Sequence, residues 1–166
     1  MDAQLDLWDD WTRNRPGELA PIIRRRDGDI ELVALRWGLK PRGPKLRPLI
    51  NVRSERRRFP GHRCLVPATE FFFWTGSGSR RAKWRFTMAD DNAFYFAGVW
   101  EPASKDWPEA YAVLTTKANP EVAPYSPRQM AVIRREDRML WLGLTIPGSE
   151  LLGPLPAGTF QVQRER

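Results

Sequence analysis

The dipeptide Asp27-Gly28, set between two β-patterned runs, constrains the fold of this chain more than any other feature. Asp-Gly accepts positive φ at both central positions of a two-residue turn, and that turn matches the right-handed twist of paired strands. Pro21-Ile22-Ile23-Arg24 and Ile30-Glu31-Leu32-Val33-Ala34-Leu35-Arg36-Trp37 are therefore expected to pair antiparallel. Further β-runs follow at residues 65–67, 70–74, 84–88, 93–100 and 110–116, the first interrupted by Pro67. Short strands at this spacing predict a β-rich α+β fold whose sheet closes as a barrel or stacks as a sandwich.

Around these strands the chain is less regular. Residues 38–48 combine Gly, Pro and basic side chains and predict an exposed loop, and Thr75-Gly76-Ser77-Gly78-Ser79 predicts a flexible tip. Met130-Ala131-Val132-Ile133 predicts one brief strand, residues 136–144 a helix, and the Pro/Gly-rich tail at 147–166 a loop. At 1–12, Leu5, Leu7, Trp8 and Trp11 stand at helical spacing behind Asp2 as an N-cap, which predicts a short acidic helix.

A chain of 166 residues is of single-domain size, and no linker divides 1–166. Its formal net charge is +7, and the distribution is uneven: residues 13–67 hold 15 Lys and Arg against 5 acidic residues, while 1–12 hold four aspartates and no base. A concentrated basic stretch points to a polyanionic partner. One cysteine, Cys64, and one histidine, His62, exclude an intrachain disulfide and leave few metal ligands, so neither a metal nor a cofactor is expected. No run approaches the ~20 apolar residues that span a bilayer, and the acidic start lacks a signal-peptide layout. A cytoplasmic protein with no membrane partner is expected.

Trp37 stands at the mouth of the basic loop, and Asn51-Val52-Arg53-Ser54-Glu55 follows it with polar and cationic side chains. Bases stacking on aromatics while Lys and Arg track the backbone is the physical recipe for single-strand binding. The competing reading makes Trp37 core and the arginines a solvated face. Cys64, followed by Leu65-Val66, reads as a small buried hydrophobe rather than a nucleophile, and His62 as a solvent-facing or phosphate-side residue. Among Phe71, Phe72, Phe73, Phe94, Tyr95, Phe96 and Trp100, strand alternation turns about half inward.

Five blocks carry a resemblance. Trp37-Gly38-Leu39-Lys40-Pro41, Asn51-Val52-Arg53-Ser54-Glu55, Arg63-Cys64-Leu65-Val66-Pro67-Ala68, Phe96-Ala97-Gly98-Val99-Trp100 and Leu114-Thr115-Thr116-Lys117-Ala118-Asn119 occur in the order and at the spacing of the SRAP domain. Over residues 21–142 the chain thus resembles the abasic-site processing family, also labelled SOS response-associated peptidases. The resemblance implies a barrel of mostly antiparallel strands with a few short helices, and a basic cleft for single-stranded DNA of the damage response. It also implies a chemistry. The amine and thiol of an N-terminal cysteine condense with the ring-opened aldehyde of an abasic site, giving a thiazolidine crosslink, with an asparagine, a glutamate and a histidine assisting. A 1,2-aminothiol captures an aldehyde more durably than a lone amine does.

Carried over residue by residue, the family asparagine matches Asn51 and the neighbouring phosphate-contacting arginine matches Arg53. The glutamate position holds Phe73 and the histidine position Ser126, while position 2 is Asp2, before which methionine is not normally removed. The DNA-binding set that the resemblance implies is Trp37, Lys40, Arg53, Arg63, Thr116 and Arg128. Glu70 stands three residues before Phe73; if the strand runs straight that spacing reverses the face, so Glu70 is expected to be a loop or surface carboxylate paired with an arginine. The preferred reading is an SRAP-like protein that binds single-stranded or abasic DNA with a degenerate active site. The alternatives are an enzyme using another amine or an upstream cysteine, and a non-enzymatic protein-interaction module.

Overall fold

The computed structural model describes residues 15–44, 47–90, 92–144 and 146–166; the acidic helix expected over 1–12, and Asp2 with it, lies outside them. Asp27 and Gly28 take φ of 52° and 87°. They join β1 (Leu19–Arg26) to β2 (Asp29–Trp37), with Arg26 opposite Asp29. Then come β3 (Asn51–Arg53), β4 (Arg63–Ala68), β5 (Phe71–Thr75), β6 (Ala82–Met88), β7 (Phe94–Glu101), β8 (Ala110–Lys117), β9 (Arg128–Met130) and β10 (Val132–Ile133). A 3-10 turn at Arg135–Asp137 leads into α1 (Arg138–Leu142), and α2 (Gly148–Leu151) precedes β11 (Phe160–Arg164).

The larger sheet closes on itself. β7 pairs antiparallel with β4, β4 with β1 and β1 with β2; β2 runs parallel to β8, and β8 returns antiparallel to β7. Beyond β2, β3 continues along one edge of β8, and beyond β7, β9 continues along the other. The run expected as one strand at 130–133 is two. Ala131 donates its N–H to Leu114 and accepts from Ala97, both at 2.8 Å, so the chain steps from the edge of β8 to that of β7. Pro67 fits inside β4 because only its β7 edge is paired there; the ladder to β1 ends at Leu65.

Alternation sorts the side chains. Ile22, Cys64, Val66, Phe96, Tyr111 and Val113 fill the barrel, while Leu65, Ala97, Ala112 and Leu114 face outward and are covered by Trp141 and Leu142 of α1. Cys64 is fully buried, and burial pushes its thiol well above the ordinary range, as a packing role requires. Gly98, opposite Cys64 and Val113, is glycine for a steric reason: a Cβ there would lie 2.8 Å from Cys64 Sγ and 3.0 Å from the Ala112 carbonyl oxygen.

β5, β6 and β11 form a second antiparallel sheet packed on the first core. The tail is therefore not all loop. Phe160 is buried opposite Met88, and burial of that ring holds the strand despite the surrounding Pro and Gly. Glu121 accepts the Phe160 N–H at 3.0 Å and the Asn119 side-chain amide at 3.1 Å. Burial alone raises this carboxyl's pKa, but the donated N–H groups of Phe160, Gly158 and Thr159 and the Asn119 amide together hold it below the usual range.

Two predictions follow from the packing. Gly98→Ala destabilises the protein by about 1–3 kcal/mol in urea denaturation, because neither a strand backbone nor a buried thiol yields easily. Since the Glu121 pKa is lowered on folding, its contribution is present above its unfolded value of ~4.3 and is lost as pH falls through the folded pKa. Glu121→Gln removes that acid-limb loss in thermal melts recorded between neutral pH and pH 3.

Candidate nucleic-acid interface

The barrel has one end built around a buried cation and another that opens into a cavity. Arg24 is 1% exposed, donates from Nε to Glu31 at 2.6 Å and from Nη2 to Glu109 at 3.1 Å, and lies 4.3 Å from the Trp100 ring centroid. The cavity, about 310 Å³, is walled by Val66, Ala68, Phe71, Phe96, Val113 and Met130. Trp37, Tyr111, Phe72 and the β4–β5 connection, Thr69 and Glu70, complete it. The Trp37 indole donates to the Ile50 carbonyl at 3.0 Å and lies nearly parallel to Tyr111, with centroids 6.3 Å apart. Burial pushes the Tyr111 phenol pKa up, so the ring stays neutral.

Asn51 and Arg53 lie beside this cavity. They are two apart on β3 and exposed, while Val52 between them is buried in the outer core. Their partners on β8 are Val113 and Thr115, and Val113 lines the cavity, so both side chains belong to the cavity face. Arg128 reaches the same face: it donates to both oxygens of Glu55 at 2.9 Å and to Thr115 Oγ1 at 3.0 Å. That fork holds the Glu55 carboxyl below its ordinary pKa.

The structure sorts the other expected contacts differently. Arg63 is 5% exposed and donates to the carbonyls of Phe59, Trp141 and Ile146 at 2.8, 3.1 and 3.0 Å, with its guanidinium over the Trp141 ring. Alternation puts it with Leu65 on the outer face of β4, under α1, where its guanidinium is committed to the fold. Thr116 is buried on the face of β8 shared with Ala112 and Leu114, away from the cavity. Lys40 is exposed and paired with Asp106 at 2.7 Å. Of the basic stretch, Arg53, Arg56, Arg57 and Arg58 are exposed at and after β3 and Arg15, Arg25, Arg26 and Arg47 are exposed elsewhere, whereas Arg36 covers Trp107 and Arg42 pairs with Glu101.

At the positions matched to the family's glutamate and histidine stand Phe73 and Ser126. Phe73 packs edge-on to Phe71 and Phe86, with centroids at 6.0 and 5.7 Å. Phe86 in turn meets Tyr125, the neighbour of Ser126, at 5.4 Å. The two matched positions thus converge on one aromatic cluster. Ser126 donates its hydroxyl to the Arg128 carbonyl at 2.6 Å, a turn contact. Glu70 lies between strands rather than on one, so the face-reversal reasoning does not apply to it; its Oε2 is 3.6 Å from Arg85. His62 is exposed and stacks on Trp100 at 4.3 Å. Among the described residues no group of three His, Cys, Asp or Glu side chains is gathered as for a metal, and no helix is long and apolar enough to cross a membrane.

Sequence reasoning passed over Trp74. Phe71 and Phe73 face the core, so Phe72 and Trp74 face out, and that alternation was the available signal. Trp74 is 52% exposed, with Arg81 4.1 Å and Lys83 5.7 Å from its centroid, and Lys83 also covers Phe72 at 4.1 Å. Because Phe72 lines the cavity, an aromatic and cationic track leads from the barrel mouth onto the smaller sheet.

A closed, mixed-topology β-barrel flanked by a three-stranded sheet defines the class of fold. Solved structures of proteins from Bordetella bronchiseptica and Bacteroides thetaiotaomicron share it, with TM-scores of 0.73 and 0.70 at 22% and 23% identity. The superpositions cover 91% of this chain and 85% of the first protein, and 90% and 75% for the second. Residues 12–163 match the family model described as SOS response associated peptidase (SRAP), and the chain belongs to that family. It is 28% identical over 126 residues to proteins named abasic site processing protein YoqW in Bacillus subtilis (strain 168) and Bacillus phage SPbeta. That match covers 65% of this chain and 55% of the relatives, so the chain spans about half the length of the curated relatives it matches.

Arg63 and Arg53 are expected to separate on substitution. Arg63→Met leaves three carbonyls without their donor and lowers unfolding free energy by about 3 kcal/mol or more. Arg53→Ala changes it by less than ~0.5 kcal/mol. Urea titrations of both variants check this.

Proposed function

We propose that this SRAP-family protein binds single-stranded or abasic DNA noncovalently, inside the cell and in the context of DNA damage, and does not form the thiazolidine crosslink. One observation carries the reading: Asn51 and Arg53 stand exposed on the cavity face, while of the residues nearest to a catalytic role by position or chemistry, Cys64 is buried in the core and Phe73 packs against it. The names of the Bacillus relatives support an abasic-site setting. Exposed Arg53, Arg56, Arg57 and Arg58 supply the counter-charge for phosphates, and Trp74 with its flanking Arg81 and Lys83 supplies a stacking platform.

Fluorescence anisotropy with a labelled single strand tests this. Affinity is expected to fall steeply with salt, and Arg53→Ala is expected to reduce the slope of log K against log salt by about 0.7, the share of one single-strand phosphate. Trp74→Ala is expected to weaken binding by roughly 1–3 kcal/mol. Salt-insensitive binding, or no binding, sinks the proposal. Equal retention on heparin with no preference for single strands points instead to an acidic protein partner.

A further inference from the structure

The cavity at the barrel mouth is the wrong shape of chemistry for capturing an aldehyde, and it suits something else. Its wall is mostly apolar and aromatic, and among the described residues the only carboxylate lining it is Glu70. Phe73 thickens that wall from behind by packing edge-on against Phe71, instead of placing a charged group near it. At ~30 Å³ per water, about 310 Å³ is room for roughly ten waters, yet the walls offer few of the two to four polar partners that each ordered water needs. A planar heterocycle fills such a space favourably. An abasic sugar, having no base to bury, does not.

The polar features point the same way. Trp37 presents an indole whose N–H is already occupied by the Ile50 carbonyl, which leaves its ring as the contact surface. Glu70 sits at the rim, half-buried. Its contact with Arg85 is an ion pair at 3.6 Å, longer than a hydrogen bond, so its oxygens keep their acceptor capacity. An ionised carboxylate only accepts, which suits the exocyclic amino group of a base. Thymine flanks its one ring N–H with two carbonyl oxygens and meets that carboxylate poorly. Asn51 and Arg53, on the same face, are placed to hold the backbone on either side of an extruded nucleotide.

We infer that the cavity receives one unpaired, intact nucleobase, and that Glu70 favours a base bearing an exocyclic amino group. The inference rests on the DNA-binding reading above and sharpens its substrate from abasic to intact single strand.

Competition anisotropy decides it, using five-nucleotide strands that differ only at the centre: dC, dT or the tetrahydrofuran abasic analogue. The strand with central dC is expected to bind roughly 5-fold or more tighter than the abasic analogue, as one stacked base provides. It should also bind a few-fold tighter than the strand with central dT. Glu70→Gln should erase the dC-over-dT ratio while leaving the salt slope unchanged, a pattern that a general loss of fold does not produce. An abasic strand that binds as well as dC, or a dC-over-dT ratio unmoved by Glu70→Gln, overturns the inference. Those outcomes leave salt-dependent binding intact and so spare the broader reading, whereas no binding to any strand removes both.

Discussion

Everything in the molecule hangs on β8. It pairs with four strands, β2 and then β3 in parallel along one edge, β7 and then β9 antiparallel along the other. Those ladders close the barrel, and they also bring Trp37, Asn51, Arg53, Met130 and Arg128 to one face, although these residues are scattered over nearly a hundred positions of sequence. The closure has a tight point at Gly98, where the β7 backbone passes against Cys64 and β8. The lone cysteine is thus a packing atom at the seam of the barrel, and its burial removes it from chemistry.

Charge follows the same geometry. A guanidinium inside a fold must be hydrogen-bonded or paired, and Arg24 and Arg63 are, the first by two glutamates and an indole, the second by three carbonyls. Both stand at the start of β4, Arg63 as its first residue and Arg24 as the β1 partner of Cys64. Arg128 is held by Glu55, Lys40 by Asp106 and Arg42 by Glu101, while Arg53, Arg56, Arg57 and Arg58 at and after β3 meet solvent, as do Arg15, Arg25 and Arg47 elsewhere in the basic half. Ion pairing and burial thus withdraw part of the basic half's charge, and the run from Arg53 to Arg58 is the exposed part that starts beside the cavity.

Much of this was legible in the sequence. Asp27-Gly28 located its hairpin, alternation located most strands, and five short blocks located the family. What was not legible has physical reasons. Arginine reads as surface, so the buried roles of Arg24 and Arg63 appear only once α1 and β2 are placed. Thr116 was one residue out of phase with the cavity face, which pairing register alone reveals. Strand β11 hides in a Pro/Gly-rich tail because a single buried ring, Phe160, and the Glu121 latch fix it. Glu70 reaches the cavity because the chain turns between two sheets there, and no strand pattern encodes that angle.

The central claim is that a DNA-facing surface persists where the covalent chemistry does not. Its most direct test incubates the protein with a single strand carrying an abasic site, with and without borohydride, and compares native with denaturing gels. A shifted band in the native gel and no adduct surviving denaturation is the predicted result. A covalent adduct that resists denaturation contradicts it.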